Sequence, residues 1–407
     1  MRKVIIVGGG AAGLFAALFA RKAGAEVTLV EKNDRLGKKM LITGKGRCNI
    51  TNTADLPEFI AAFGKNGRFL NSAIHAFTNT DCMEFFESIG VPVKTERGGR
   101  LFPVSDKAQD VVLALEGELQ KSGVRIILQS PVSKIDFKGD SFEVRIIGKT
   151  LKADAVIIAV GGATYPGTGS TGDGYEFAQS LGHSIIPLRP SLVPVETVET
   201  WPKEVMGLSL KNVELTAFAD GKKVASEFGE MLFTHFGISG PLVLSISKKL
   251  TNIEGKKITF TINLKPALSQ EKLDARLLRD FEKYNNKDIK NGLDELLPQK
   301  LIPIVIQEAG LLPEKKVHSL TREERLHLVR TLQGLTLTMQ SFRPLSEAII
   351  TAGGVKLSEV SPKTMESKLV PGLYFAGEIL DVDALTGGYN LQAAFSTGLV
   401  AGKSSAE

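Results

Sequence analysis

Three glycines near the N-terminus have the spacing of a dinucleotide-binding turn. Gly8, Gly10 and Gly13 lie between the apolar run 3–7 and a stretch of small helix-forming residues, 14–23. In such a turn the first glycine allows the bend, the second lets a pyrophosphate approach the backbone, and the third lets the helix pack on the strand. Free N–H groups at the helix start attract the phosphates. We therefore predict a dinucleotide site here.

An acidic residue completes this unit. Glu31 follows the second predicted strand, 26–30, and its carboxylate can accept hydrogen bonds from ribose hydroxyls. An acid at this place, instead of a basic residue, favours FAD or NAD over a 2′-phosphorylated nucleotide. A second G-x-G-x-x-G match at 167–172 lies several residues past its strand and has no strand-ending acid, so we predict a loop there.

The segment 43–52, TGKGRCNITN, combines hydrogen-bond donors and cations with a backbone that its glycines make flexible. It has neither helical nor strand periodicity. Such a loop can wrap an anion or an extended cofactor, and a solvated surface loop is the alternative. Cys48 has no C-x-x-C partner, so the sequence does not predict a redox thiol.

A second glycine-rich segment lies near the C-terminus. Gly377 and Glu378 follow the predicted strand 373–376, and Gly387-Gly388 precede a helix whose first turn offers free N–H groups. This order suits a second contact with an extended cofactor, with the acid reaching a ribityl chain or a phosphate. Plain packing of a strand against a helix remains the alternative.

Composition narrows the class of protein. The chain has 407 residues and a net charge of +5, which is too mild to favour nucleic acid, and no aromatic–basic interleaving is visible. Its two cysteines, Cys48 and Cys82, exclude a disulfide framework and fit a reducing cytoplasm. Glycines interrupt the apolar N-terminal run, so we expect no membrane segment. The five histidines are scattered without metal-ligand spacing, so we expect no metal.

The pattern of polar and apolar residues along the chain changes twice. Residues 191–265 alternate between polar and apolar, which is typical of antiparallel sheet, and 267–333 are rich in Lys, Glu and Leu with helical spacing. We predict an α/β fold whose nucleotide-binding domain is interrupted by an insert. The predicted division is 1–190 plus 341–407 for the nucleotide-binding domain, 191–266 plus 334–340 for a β domain, and 267–333 for a helical subdomain.

Four segments together resemble the FAD flavoproteins of the two-dinucleotide-binding superfamily, and most closely the bacterial BaiN/YhiN-like aminoacetone-oxidase family. They are VIIVGGGAAGL (4–14), GKKMLITGKGRCNITN (37–52), FGISGP (236–241) and AGEILDVDALTGGYNLQAAFSTG (376–398). The resemblance runs from end to end. It implies a Rossmann-like FAD-binding domain of the GR2 type, with an inserted barrel-like antiparallel β domain and a helical subdomain.

The resemblance also implies non-covalent FAD. Its adenosine end would lie on the first glycine turn and Glu31, with Val132 touching the adenine through its backbone. The ring would lie near the 43–49 loop and the start of the C-terminal helix. The residues expected to bind the cofactor are Gly8, Gly10, Ala11, Ala12, Gly13, Glu31, Lys32, Lys39, Gly44, Arg47, Cys48, Asn49, Val132, Gly161, Gly377, Glu378, Gly388, Asn390 and Leu391.

We therefore predict an FAD-dependent oxidoreductase that transfers hydride between a small organic substrate and FAD, with O2 or NAD(P) as redox partner. The family also suggests NAD(P)H-dependent reduction of a steroid-like enone, and related folds suggest a flavin-bearing tRNA-modifying or tRNA-binding protein. A pure NAD dehydrogenase would leave the C-terminal glycine segment without a role. His235 and Tyr165 are possible acid–base groups, but a structural role is favoured for each. No catalytic residue and no oligomeric state is predicted.

Overall fold

Short strands and helices alternate along the chain in the computed structural model, which describes residues 1–250 and 253–407. The strands are β1 Lys3–Val7, β2 Glu26–Val30, β3 Thr51–Asn52, β4 Val93–Glu96, β5 Arg100–Pro103, β6 Arg125–Ile127, β7 Val132–Phe137, β8 Phe142–Ile146, β9 Lys149–Ala153, β10 Ala155–Ile158, β11 Ile185–Ser191, β12 Val195–Thr197, β13 Ser209–Ala219, β14 Lys222–Phe233, β15 Gly237–Ser239, β16 Ile258–Asn263, β17 Leu335–Phe342, β18 Ile350–Val355 and β19 Leu373–Phe375. The helices are α1 Ala11–Lys22, α2 Leu56–Ala61, α3 Asn71–Ala76, α4 Asn79–Ser88, α5 Ala108–Ser122, α6 Asp173–Ser180, α7 Pro241–Lys249, α8 Gln270–Lys283, α9 Ile289–Gly292, α10 Ile302–Glu308, α11 Arg322–Gln333 and α12 Tyr389–Ala406.

The first of two units contains residues Met1–Ser191 and Leu345–Glu407. Its main sheet has the strand order β19-β10-β1-β2-β6, and every neighbouring pair is parallel. The central strand β1 is apolar and buried from Val4 to Val7, because both faces of a parallel sheet are covered. Three smaller antiparallel sheets, β3-β5-β4, β7-β8-β9 and β11-β18, complete the unit.

Helices α1 and α12 pack unusually closely in this unit. A Cβ added to Gly398 would lie 2.3 Å from the Ala12 carbonyl oxygen, and one on Gly402 would lie 2.4 Å from the Ala16 carbonyl oxygen. The two glycines therefore let one helix backbone rest against the other. This packing fixes the start of α12 relative to the glycine turn that precedes α1.

The second unit, Leu192–Pro344, is built on a closed antiparallel barrel with the strand order β12-β15-β14-β13-β16-β17. Strand β16 shows the alternation expected of a barrel wall, since Ile258, Phe260 and Ile262 are buried and the residues between them are not. Helices α8–α11 occupy the segment between β16 and β17. The predicted fold class, a Rossmann-like α/β domain with an inserted barrel and helices, is confirmed. The exact three-part domain division stays a prediction.

Candidate cofactor site

A cavity in the first unit lies where the parallel strands of the main sheet end. Val7, Val30 and Ala159, at or just after the carboxyl ends of β1, β2 and β10, are part of its lining. Open parallel sheets bind ligands at this edge, because the loops there diverge and leave a crevice. The segments 376–378 and 390–394 line the same cavity. The two glycine-rich segments that the sequence singled out therefore meet at one place.

Glycine occupies each of the three positions of the first turn for a different structural reason. Gly8 has a φ of +103°, which side chains rarely adopt. A Cβ on Gly13 would lie 1.8 Å from the Gly8 carbonyl oxygen, so this residue allows α1 to pack on the turn. Gly10 is different: its backbone is ordinary extended chain, with φ −83° and ψ −172°, and an added Cβ would meet nothing within 4 Å. The space beside Gly10 fits a phosphate group approaching the start of α1.

Glu31 is buried, with 7% of its surface exposed, and it supports the glycine turn directly. One carboxylate oxygen accepts the Gly9 N–H at 2.6 Å, and the other accepts the backbone N–H and side-chain amide of Asn33 at 2.8 and 2.7 Å. A carboxylate offers about four acceptor positions. Glu31 lines the cavity and thus retains capacity for a ribose hydroxyl.

A largely buried ion pair lies at the C-terminal glycine segment. Lys39 Nζ lies 2.6 Å from one Glu378 carboxylate oxygen and donates to Thr164 Oγ1 at 2.7 Å. The other Glu378 oxygen accepts the Thr351 N–H at 2.9 Å and the Thr164 hydroxyl at 3.2 Å. The sequence suggested that Glu378 reaches a ribityl chain or a phosphate. In the structure its oxygens accept three protein donors, which fixes these segments around the cavity, and, as with Glu31, one of about four acceptor positions remains for a cofactor group.

The segment 167–172 is a loop, as expected, but it lies at the cavity. Thr168, Gly169 and Ser170 contribute to the lining. Lys32 Nζ ties the following residues down, since it lies 2.7 Å from Thr171 Oγ1 and 2.8 Å from Asp173 Oδ2. Sequence reasoning set this loop aside because it lacks a dinucleotide-binding frame. Its density of glycines was the available signal that a backbone approaches a ligand there.

Most of the predicted cofactor residues meet at this cavity. Those in its lining are Gly8, Gly10, Ala11, Ala12, Glu31, Lys32, Lys39, Val132, Gly161, Gly377, Glu378, Asn390 and Leu391. Asn390 is held by its own loop, with its side-chain oxygen accepting the Ala384 N–H at 2.8 Å. The predicted residues outside the lining are Gly13, Gly44, Arg47, Cys48, Asn49 and Gly388.

The loop 43–49 is directed away from the cavity after Thr43. The Arg47 guanidinium bonds to Glu96 at 2.7 Å and Asp106 at 3.2 Å, and it stacks 3.9 Å from the centre of the Phe102 ring. This pairing holds the pKa of the Glu96 carboxyl below its usual range. Arg47 therefore anchors the β4–β5 hairpin. With its amide turned to satisfy both ends, Asn49 accepts the Gly388 N–H at 3.0 Å and so attaches the loop to the start of α12.

Cys48 and Cys82 are fully buried, and we expect neither to react in the folded protein. Burial raises the pKa of the Cys48 thiol to about 12 and also raises the pKa of Cys82. Because the thiolate is the nucleophile, iodoacetamide at mildly alkaline pH should label both residues only after denaturation. Mass spectrometry of native and denatured samples measures this. Labelling of Cys48 in the native protein would contradict its assignment as an inert core residue.

The two acid–base candidates from the sequence lie outside the cavity lining. Tyr165 has a strained backbone, with φ +51°, and burial raises the pKa of its phenol. His235 belongs to the second unit and lies edge-on to Phe236, with ring centres 5.0 Å apart. Within the described part of the chain, no group of three or more His, Cys, Asp or Glu residues is arranged to hold a metal ion. Across the same residues, no helix has the length and apolarity needed to cross a membrane.

Comparisons with known proteins agree with this fold. The family model described as "HI0933-like protein Rossmann domain" matches residues 2–404. The chain is 33% identical to 3-dehydro-bile acid delta(4,6)-reductase of Clostridium scindens, over all of both chains. It is 34% identical to ribosomal RNA dihydrouridine synthase of Escherichia coli, over 98% of both chains.

Among solved structures, the chain is similar to quinol fumarate reductase of E. coli, with a TM-score of 0.53 and 18% identity. The match covers 100% of this chain and 70% of the fumarate reductase chain. This likeness concerns the fold. The family match and the parallel sheet with its glycine turn identify the class of protein. The chain belongs to the HI0933-like family, and it is an FAD-dependent oxidoreductase.

Proposed function

We propose that this protein reduces a carbon–carbon double bond conjugated to a carbonyl group, and that its substrate is a uridine in RNA. One observation carries the proposal: the chain is about equally similar, over its full length, to two relatives with different names. A 3-dehydro-bile acid with a delta(4,6) system is a conjugated ketone. Uridine likewise has its C5–C6 double bond conjugated to the C4 carbonyl, and dihydrouridine is the product of reducing it. The two names thus share one chemistry.

The residues of the cavity would bind non-covalent FAD in an extended form. Gly10 and the start of α1 would hold the phosphates, Glu31 and Val132 the adenosine end, and Leu391 with the start of α12 the ring end. When bound, the flavin supplies the hydride acceptor and donor. The helix N-termini favour negative charge at both places, since their N–H groups and dipoles point toward the cavity.

The reduction needs a two-electron donor, and we propose a reduced nicotinamide, NADH or NADPH. The double bond receives a hydride at the carbon β to the carbonyl and a proton at the α carbon. A steroid-like enone is the second candidate substrate, favoured by the bile-acid reductase that matches the chain along its whole length. RNA takes first place because four exposed lysines of the barrel, described below, have no ion-pair partners among the residues that the structure describes.

The test begins with the visible spectrum of the purified protein and identification of the released cofactor, expected to be FAD at near one per chain. Anaerobic mixing with NADH or NADPH should bleach the flavin. The reduced protein is then offered ribosomal RNA transcribed in vitro, and separately a 4-en-3-one steroid, and products are identified by mass spectrometry. We expect dihydrouridine in the RNA. Reduction of the steroid alone would support the second candidate, and reduction of neither would refute the shared chemistry.

A further inference from the structure

Four lysines at one end of the barrel stand without ion-pair partners among the described residues. Lys222 and Lys223 begin β14, and Lys256 and Lys257 come just before β16; all four are exposed. Elsewhere many surface lysines are paired, as Lys134 is with Asp136 at 2.6 Å. The barrel thus presents local positive charge that the mild net charge of the chain conceals.

The fold brings these lysines together from two segments of the sequence. The β13–β14 hairpin turns at Asp220 and Gly221, both with positive φ, and its register places Lys222 opposite Ala219. On the other side of β13, Ile258 of β16 is also opposite Ala219. Because neighbouring strands lie about 4.8 Å apart, the two lysine pairs flank the end of β13 within roughly 10 Å of each other. The nearby acids are Asp220, which accepts the Lys257 N–H at 3.0 Å, and Glu254.

An exposed aromatic side chain lies on the same strands. Phe228 of β14 is 58% exposed and lies opposite Glu214 of β13. Glu214, Thr216 and Phe218 alternate with buried residues along β13, so they share the outer face of the barrel, and Phe218 is opposite Lys223. Phe228 lies five positions after Lys223, which is about 17 Å of strand.

We call Lys222, Lys223, Lys256, Lys257, Phe218 and Phe228 the lysine–phenylalanine face. Lysines neutralise backbone phosphates, and exposed aromatic rings stack on unpaired bases. Between them Thr216 and Ser226 present hydroxyls 2.7 Å apart, and Ser226 donates to Glu214 at 2.8 Å, which keeps that carboxylate engaged on the protein side. The combination matches single-stranded RNA better than it matches a folded protein partner, because the cores of protein–protein interfaces are depleted in lysine.

We propose that the lysine–phenylalanine face is an RNA-docking surface, which binds a single-stranded segment of the substrate RNA. The inference rests on the proposed function, because it assumes that the substrate is part of an RNA. It adds a binding site on the second unit that is separate in sequence from the cofactor residues of the first unit. The lysines would contribute affinity without sequence preference, and Phe228 would contribute base stacking.

The test measures binding of a fluorescein-labelled oligouridine by anisotropy across a range of salt concentrations. The holoenzyme is compared with a variant carrying Lys222→Ala, Lys223→Ala, Lys256→Ala and Lys257→Ala. The matched control removes the same charge from exposed lysines elsewhere, with Lys107→Ala, Lys149→Ala, Lys300→Ala and Lys363→Ala. If the four lysines contact phosphates, the first variant should show a shallower salt dependence: the magnitude of the slope of log K against log salt should decrease by about 3. Phe228→Ser should weaken binding roughly tenfold with the slope unchanged.

The outcomes separate this inference from the proposed function. Loss of RNA affinity in the first variant only, with flavin content and bleaching by the nicotinamide unchanged, supports the docking surface. Equal effects of the two lysine variants, with uridine reduction intact in the wild type, would overturn the docking surface and leave the proposed function standing. A wild type that reduces no uridine and binds no oligouridine would refute both.

Discussion

Replacing Gly10 with valine is expected to abolish flavin binding while the chain stays folded. The backbone of Gly10 is extended, with φ −83° and ψ −172°, so a β-branched residue fits it without strain. A Cβ atom at this position would meet nothing within 4 Å, so the side chain projects into open space at the start of α1. That space is the place where we expect the pyrophosphate. We predict a colourless protein with at least a hundredfold weaker affinity for FAD and a melting temperature close to that of the wild-type apoprotein.

Gly13→Ala is the contrasting control, because even this smaller addition is expected to disturb the fold there. A Cβ on Gly13 would lie 1.8 Å from the Gly8 carbonyl oxygen, so α1 must move away from the turn. Overpacking of this kind costs about 1–3 kcal/mol of unfolding free energy. Thermal unfolding of the apoproteins and absorbance of the loaded proteins distinguish the two effects. A yellow Gly10→Val protein with one flavin per chain would show that the phosphates bind elsewhere.

Local sequence patterns predicted the parts of the site that depend on local structure. The turn at Gly8–Gly13 and the acid at Glu31 lie within about thirty residues, where strand, turn and helix signals reinforce one another. Alternation of polar and apolar residues predicted the antiparallel sheet of the second unit, whereas its barrel-like form was implied only by the family resemblance. These features need no knowledge of distant contacts.

Pairings between distant residues could not be predicted in this way. Lys39 and Glu378 are 339 positions apart, and no local pattern in either segment predicts that the two residues pair. Arg47 looked like an anion-binding residue because its loop is rich in donors, but the β4–β5 hairpin supplies Glu96 as its partner. The linear sequence shows no aromatic–basic interleaving, yet strand pairing gathers four lysines at one end of the barrel and leaves Phe228 exposed about 17 Å along β14.

The Lys39–Glu378 pair should behave as a coupled unit. Its side chains are 23% and 12% exposed, so removal of the lysine leaves a mostly buried carboxylate without its cation. We expect Lys39→Met to lower the unfolding free energy by about 2–4 kcal/mol, because an uncompensated buried charge is costly. Glu378→Gln should cost less, roughly 1–2 kcal/mol, since the amide keeps an acceptor for the Thr351 N–H and the freed ammonium can reach water.

The double variant decides whether the pair is coupled. The double variant Lys39→Met with Glu378→Gln leaves no unpaired charge. Its decrease in unfolding free energy should therefore be smaller than the sum of the two single decreases by about 1–3 kcal/mol. Urea denaturation of the four proteins measures this cycle. Lys38→Met is the matched control: the neighbouring Lys38 lies 3.7 Å from Asp34 in a more exposed pair, so its loss should be below about 1 kcal/mol. Additive losses would mean that Lys39 and Glu378 act independently, and that the cavity wall does not depend on their pairing.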